Sequence, residues 1–258
     1  KQNYKLQKDF YSNFVKGRKE RVVIIISDGL RYELGKELVK RFSFNEKIEG
    51  KLEPQIGVLP SYTGLGMAAL LPNKNIQIKD DYSVYVDGRP TSTLVERKAI
   101  LQSYNEKSDA IQFSDLIKMK VDEIRAFFSG KEIIYIYHNQ IDKRAHSAED
   151  EVFLACEEAM NDIEDIIIRL TNSVSVTRFV VTSDHGFIYT RRKSKESDKI
   201  NKFFQKKDMI NRRFIISDNK YKVFGTKNIL VSDILDNYDD RTITMPLTSN
   251  IFKAHGGQ

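Results

Sequence analysis

The run Val22-Val23-Ile24-Ile25-Ile26 constrains this chain more than any other feature. Five consecutive β-branched residues leave no polar alternation, so the run reads as a strand covered on both faces, the kind found in parallel sheets. Ser27-Asp28-Gly29 closes it. Two more runs have the same character, Ile133-Ile134-Tyr135-Ile136-Tyr137 and Phe179-Val180-Val181-Thr182. Helical spacing separates the three. Leu30, Leu34, Leu38, Val39 and Phe42 follow the first strand at that spacing, and a long helix is expected from about Glu149 to Leu170. Strand and helix in alternation predict an α/β sandwich around a mostly parallel central sheet.

Composition supports a globular chain and removes several alternatives. At 258 residues, 40% hydrophobic and 30% charged, the chain is neither collagen-like nor disordered. No apolar stretch of about 18 residues occurs, so no transmembrane helix and no membrane partner are expected. The single cysteine, Cys156, excludes a disulfide framework and a cysteine-built zinc cluster. It falls inside the long predicted helix, where a buried apolar role is expected, and one cysteine suits a reducing cytoplasm.

The chain opens on Lys1-Gln2-Asn3-Tyr4 and stops just after Ala254-His255-Gly256-Gly257, which reads as one domain, residues 1–258, excised from a larger protein. Two segments break the strand–helix rhythm. Residues 72–112 mix short strand-like pieces with turn residues and read as an irregular excursion. Residues 191–227 carry 13 Lys or Arg against 4 Asp or Glu, a net +9, although the whole chain is only +6. The remainder is therefore −3, and the positive charge is concentrated in one basic excursion.

In a parallel sheet, ligands gather beyond the C-terminal ends of the strands. All three strong strands here end in groups able to bind a metal: Ser27-Asp28-Gly29, then His138-Asn139-Gln140-Ile141-Asp142 leading to His146, then Ser183-Asp184-His185-Gly186. Asp142 and His146, four residues apart, share a helical face if a helix starts there. Imidazole with carboxylate suits zinc or manganese. Singly, each piece also has a plain structural reading, as a surface ion pair or a cap. Another segment, Leu59-Pro60-Ser61-Tyr62-Thr63-Gly64, leads into a short helix and places Thr63 at its start. Thr63 reads either as an N-cap or as a hydroxyl held where a helix dipole favours an oxyanion.

The order of "SDGLRYELG", "LPSYTGLGMAALLP", "YHNQIDKRAH", "TSDHGFIY" and the closing "AHGG" resembles the alkaline phosphatase superfamily. More narrowly it is similar to the PglZ domain of BREX-type phage-defence proteins. The resemblance runs from Ser27 to Gly257. It implies an alkaline-phosphatase-like three-layer α/β/α sandwich and two divalent metal ions, zinc first and manganese second. It assigns Asp142, His146 and His255 to one ion. Asp28, Asp184 and His185 go to the other, with Thr63 as nucleophile and Ser61 as the alternative two residues earlier. Arg31, Arg144 and Asn139 are substrate-binding candidates. His138 has no assigned role and reads as a satisfied strand-end histidine or as a support for a ligand.

The implied activity is metal-dependent phosphoester hydrolysis. The pattern leaves phosphomonoesters and phosphodiesters both open; the working reading prefers phosphodiesters in nucleotides or nucleic acid, and other phage-defence subunits are the expected partners. A sulfatase is disfavoured, because Ser61-Tyr62-Thr63-Gly64-Leu65 lacks the Cys/Ser-x-Pro-x-Arg context. Residues 191–227, with Phe203, Phe204, Phe214, Tyr221 and Phe224 interleaved, read either as a nucleic-acid track or as a solvated excursion. The rival reading, from a different class, is a metal-stabilised interaction module of a defence complex with little or no hydrolytic activity.

Overall fold

Every residue of β1, Val22–Ser27, is buried, as a strand sandwiched between two layers must be. The computed structural model describes residues 4–141, 152–189, 195–196, 199–201 and 203–253. In it β1 lies inside a four-stranded sheet with β2, Ser108–Gln112, β3, Ile133–His138, and β4, Arg178–Thr182. The order is β2-β3-β1-β4 and every pairing is parallel. The longer helices among the described residues, with the short one that carries Thr63, are α1, Tyr32–Phe42, α2, Thr63–Ala69, α3, Leu94–Tyr104, α4, Val121–Phe128, and α5, Val152–Val174.

Alternation along β1 separates two apolar cores. Val22, Ile24 and Ile26 pack with Leu65 of α2 and with Ile100 and Leu101 of α3. Val23 and Ile25 face the opposite way, against Leu38 of α1, Ile124 of α4, and Ile163 and Ile167 of α5. Helices on both faces of a parallel sheet make this an α/β sandwich. Removing one fully buried isoleucine of β1 from water contributes about 2 kcal/mol. Cys156 is buried in the α5 layer, as its helical position implied.

Two segments differ from expectation. Residues 72–112 contain ordered elements: a three-stranded antiparallel sheet over Ile76–Ile78, Val84–Val86 and Arg89–Pro90, then α3, then β2 itself. A capping box between Thr93 and Glu96 starts α3. The strand β2 escapes a periodicity search because Ser108-Asp109-Ala110-Ile111-Gln112 is polar for a core edge strand. Its Asp109, only 2% exposed, is held by Lys98 at 2.6 Å and by Lys131.

The second difference concerns residues 191–227. Their described part enters a four-stranded antiparallel sheet of Met209–Ile210, Ile215–Ser217, Thr226–Leu230 and Thr242–Pro246. Phe214, Ile216 and Ile243 join the same core as α2. Most of the interleaved aromatics therefore have structural partners: Phe214 stacks on Tyr62 at 5.7 Å, and Phe203 packs on Tyr221 and Phe252. Phe224 is fully exposed. No helix among the described residues is long and apolar enough to cross a membrane.

Candidate metal centre

Register brings the acidic candidates together. Ile26 of β1 pairs with Thr182 of β4, so two residues further along each chain Asp28 and Asp184 emerge at one level. Both are buried, Asp28 to 3% and Asp184 to 2% exposure. One donor atom from each of Asp28, Asp184 and His185 lies within 4.8 Å of the others. His185 Nε2 is 3.3 Å from Asp184 Oδ2 and 3.6 Å from Asp28 Oδ1.

Backbone geometry holds this arrangement. Gly29 adopts φ +76°, where a side chain would be strained, and the turn lets its N–H donate to Asp184 Oδ1 at 3.2 Å. The Asp28 N–H donates to the His138 carbonyl at 2.8 Å, which fixes the exit from β1. The Nδ1 of His185 lies 2.8 Å from the Gly186 carbonyl. A proton on Nδ1 satisfies that oxygen and leaves the Nε2 lone pair facing two carboxylates, the tautomer that suits a metal ligand.

The electrostatics fit a cation. Burial raises the Asp184 carboxyl above its ordinary value, against the opposing pull of His185 and the backbone N–H groups. Asp184 Oδ2 is buried without a hydrogen bond of its own, although it points into the cluster. A buried carboxylate oxygen in that state is costly unless a positive charge completes it. Two carboxylates with one imidazole make a hard, oxygen-rich donor set compatible with zinc or manganese.

Thr63 reaches the same point from α2. It is the first helical residue, with Tyr62 at the N-cap and no side-chain cap, so the N-cap reading does not hold. Its Oγ1 instead lies 3.0 Å from His185 Nε2, and the residue is exposed. Thr63, and not Ser61, makes this contact. Stacking of Tyr62 on Phe214, and the Tyr135 hydroxyl bonded to the Leu70 carbonyl at 2.8 Å, brace the two ends of the α2 segment.

Gly66 has a role that sequence reading missed. A β-carbon on it would sit 2.2 Å from the Asp184 carbonyl oxygen, so only glycine lets α2 lie this close to the ligand turn. The available signal was a glycine inside a helix, one turn after Thr63, where it costs about 1 kcal/mol relative to alanine without such a reason.

The remaining candidates divide. Arg31 lies at the rim, its guanidinium 5.1 Å from the Phe187 ring centre and paired with Glu33 at 2.9 Å. Asn139 is exposed one residue past β3, level with Asp28 because Ser27 pairs with His138. His138 is a satisfied strand-end histidine: Nδ1 meets Ser27 Oγ at 3.0 Å and Nε2 meets Asp162 Oδ2 at 3.1 Å. Asp142, Arg144, His146 and His255 lie outside the described residues.

The sequence matches the family model described as the BREX system PglZ alkaline phosphatase-like domain over residues 8–258. It is 42% identical over 255 residues to the Alkaline phosphatase-like protein PglZ of Bacillus cereus (strain H3081.97), covering 97% of this chain and 30% of that protein. It is 38% identical over 221 residues to the Alkaline phosphatase-like protein BrxZ of Escherichia coli O9:H4 (strain HS), covering 81% of this chain and 25% of that protein. The chain thus spans less than a third of the length of either relative. A match of this extent, over an α/β sandwich whose strand ends gather two aspartates and a histidine beside a threonine at the start of α2, means that the chain belongs to the PglZ family of BREX alkaline phosphatase-like domains.

Proposed function

We propose that this domain is a metal-dependent phosphoester hydrolase that prefers phosphodiesters, with nucleotides or nucleic acid in phage defence as its substrate class. One observation carries the reading: Asp28, Asp184, His185 and the Thr63 hydroxyl converge beyond the C-terminal ends of β1 and β4. Family membership adds the expectation of a second ion held by Asp142, His146 and His255. Zinc is the first choice and manganese the second.

Bound divalent ions lower the pKa of a coordinated hydroxyl and neutralise charge on phosphoryl oxygens. The chain's own residues do the rest. Asp28, Asp184 and His185 would hold one ion beside Thr63. Thr63 Oγ1 loses its proton and attacks phosphorus as the ester bond breaks, and the leaving oxygen takes up a proton to depart as the alcohol. Water then cleaves the phosphothreonyl ester to release the phosphate product and restore the Thr63 hydroxyl. The Gly186 carbonyl keeps the His185 ring oriented through Nδ1. Arg31 and Asn139 would contact a phosphate substituent of the substrate, and Arg144 is a further candidate for that role.

The nucleic-acid part rests on the net +9 of residues 191–227, with the exposed Phe224 as its available stacking surface. A test uses the purified domain with zinc or manganese on aryl phosphate monoesters and diesters and on DNA. Thr63→Ala and Asp184→Ala are expected to abolish turnover. Unchanged activity in both would overturn the site, and stoichiometric metal without turnover of any ester would favour an interaction module.

A further inference from the structure

We propose that Gln7 is a positioning residue that holds the Thr63 segment and the Asp184–His185 turn at a fixed separation, an inference that rests on the phosphoesterase reading above. Gln7 is 3% exposed, buried for a polar side chain. Its Nε2 donates to the Asp184 carbonyl at 2.7 Å and to the Ser183 carbonyl at 3.0 Å, while its Oε1 accepts from the Val58 N–H at 2.9 Å. The opposite amide orientation would place oxygen against two carbonyls and N–H against N–H, so the network itself fixes the orientation.

A single amide thereby joins two pieces of chain that carry different parts of the site. Val58 stands five residues before Thr63, and Asp184 and His185 are the ligand turn. The Asp184 carbonyl is gripped from both sides, by the Gln7 amide and by α2 at Gly66. Gln7 is itself seated by a short parallel pairing, Lys5–Leu6 with Gln55–Ile56, and by the Lys5–Glu53 ion pair at 2.6 Å. The side chain touches neither the Thr63 hydroxyl nor the donor atoms. Its effect passes through backbone position, as with groups that orient metal ligands from outside the first sphere.

The test compares wild type with Gln7→Met, which keeps the volume and loses all three hydrogen bonds, and with Gln7→Asn, which keeps the amide but not its reach. Hydrogen exchange on the metal-free domain reads the coupling without any chemistry. Protection is expected to fall about tenfold or more in residues 55–66 and 182–187 while β1 and β3 keep theirs. Manganese or zinc titration is expected to show about 10- to 100-fold weaker binding, and kcat on an aryl phosphate to fall similarly with KM within about twofold.

A merely structural Gln7 predicts otherwise: both variants melt lower, but exchange rises evenly, and metal affinity and kcat per folded molecule stay within about twofold of wild type. That result overturns the proposal. A wild-type domain that neither takes up metal nor hydrolyses any ester sinks the phosphoesterase reading, while the exchange pattern still decides whether Gln7 couples the two segments.

Discussion

Replacing Gly66 with alanine sets two effects of opposite sign against each other. In an ordinary helix the change stabilises by about 1 kcal/mol, because glycine has the larger conformational entropy to lose. Here the new methyl carbon would lie 2.2 Å from the Asp184 carbonyl oxygen, 2.7 Å from its carbonyl carbon and 2.9 Å from its β-carbon. These are backbone and near-backbone atoms that no rotamer change can move. Relaxing the shortest contact to even 3.0 Å requires α2 and the ligand turn to separate by at least 0.8 Å. Overpacking of this kind costs about 1–3 kcal/mol, so the net effect is destabilising by up to about 2 kcal/mol. The functional effect is larger, because a displacement near 1 Å between nucleophile and reacting centre can cost about 100-fold in rate. Urea unfolding with and without added zinc, alongside aryl phosphate hydrolysis, reads both quantities. A Gly66→Ala protein as stable as wild type or more so, with unchanged metal affinity, would refute the close approach of α2 to Asp184.

Three further outcomes follow from the same geometry. Thr63→Ser keeps a hydroxyl within reach of His185 and is expected to retain measurable turnover where Thr63→Ala retains none, with both variants taking up metal like wild type; equal loss in the two would remove Thr63 as nucleophile. Zinc or manganese at about 100 times its Kd is expected to stabilise the folded domain by about 2.7 kcal/mol, a rise of about 5–10 °C in Tm, and Asp184→Ala to lose most of it, as a thermal melt with and without metal would show. Asp109→Ala is expected to destabilise by about 1–3 kcal/mol, since it strips two lysines of their partner at the edge strand β2. Although burial opposes it, the bonds from Lys131 and Lys98 hold the Asp109 carboxyl below its ordinary 3.8, so its contribution is present above that pH and disappears as pH falls below it. The gap between variant and wild type in urea melts should narrow in that window.

What could be read from the sequence was whatever depends on a residue's own character and spacing. β1, β3 and β4 declare themselves because β-branched and aromatic residues run without polar interruption, and the ligand positions follow from the rule that such strands deliver their ends to one edge. That rule brings Asp28, Asp184 and His185 to one edge, while their grouping as candidates for one ion came from the family resemblance. β2 was illegible because Asp109 is tolerated there solely through Lys98 and Lys131, partners distant in sequence. The sheet within residues 209–246 was hidden by strands as short as two residues and by a surrounding charge that suggested solvent. Gln7 and Gly66 act through carbonyl groups of residues more than 100 positions away, and no local pattern marks such contacts.

The most direct test of the metal centre is a crystal structure of the domain soaked in zinc or manganese, with anomalous scattering recorded at the metal edge. The expected result is a peak bounded by Asp28, Asp184 and His185 Nε2, with ligand distances of about 2.0–2.2 Å and Thr63 Oγ1 alongside. An anomalous map empty at that point, at metal concentrations that occupy other sites on the chain, would contradict it.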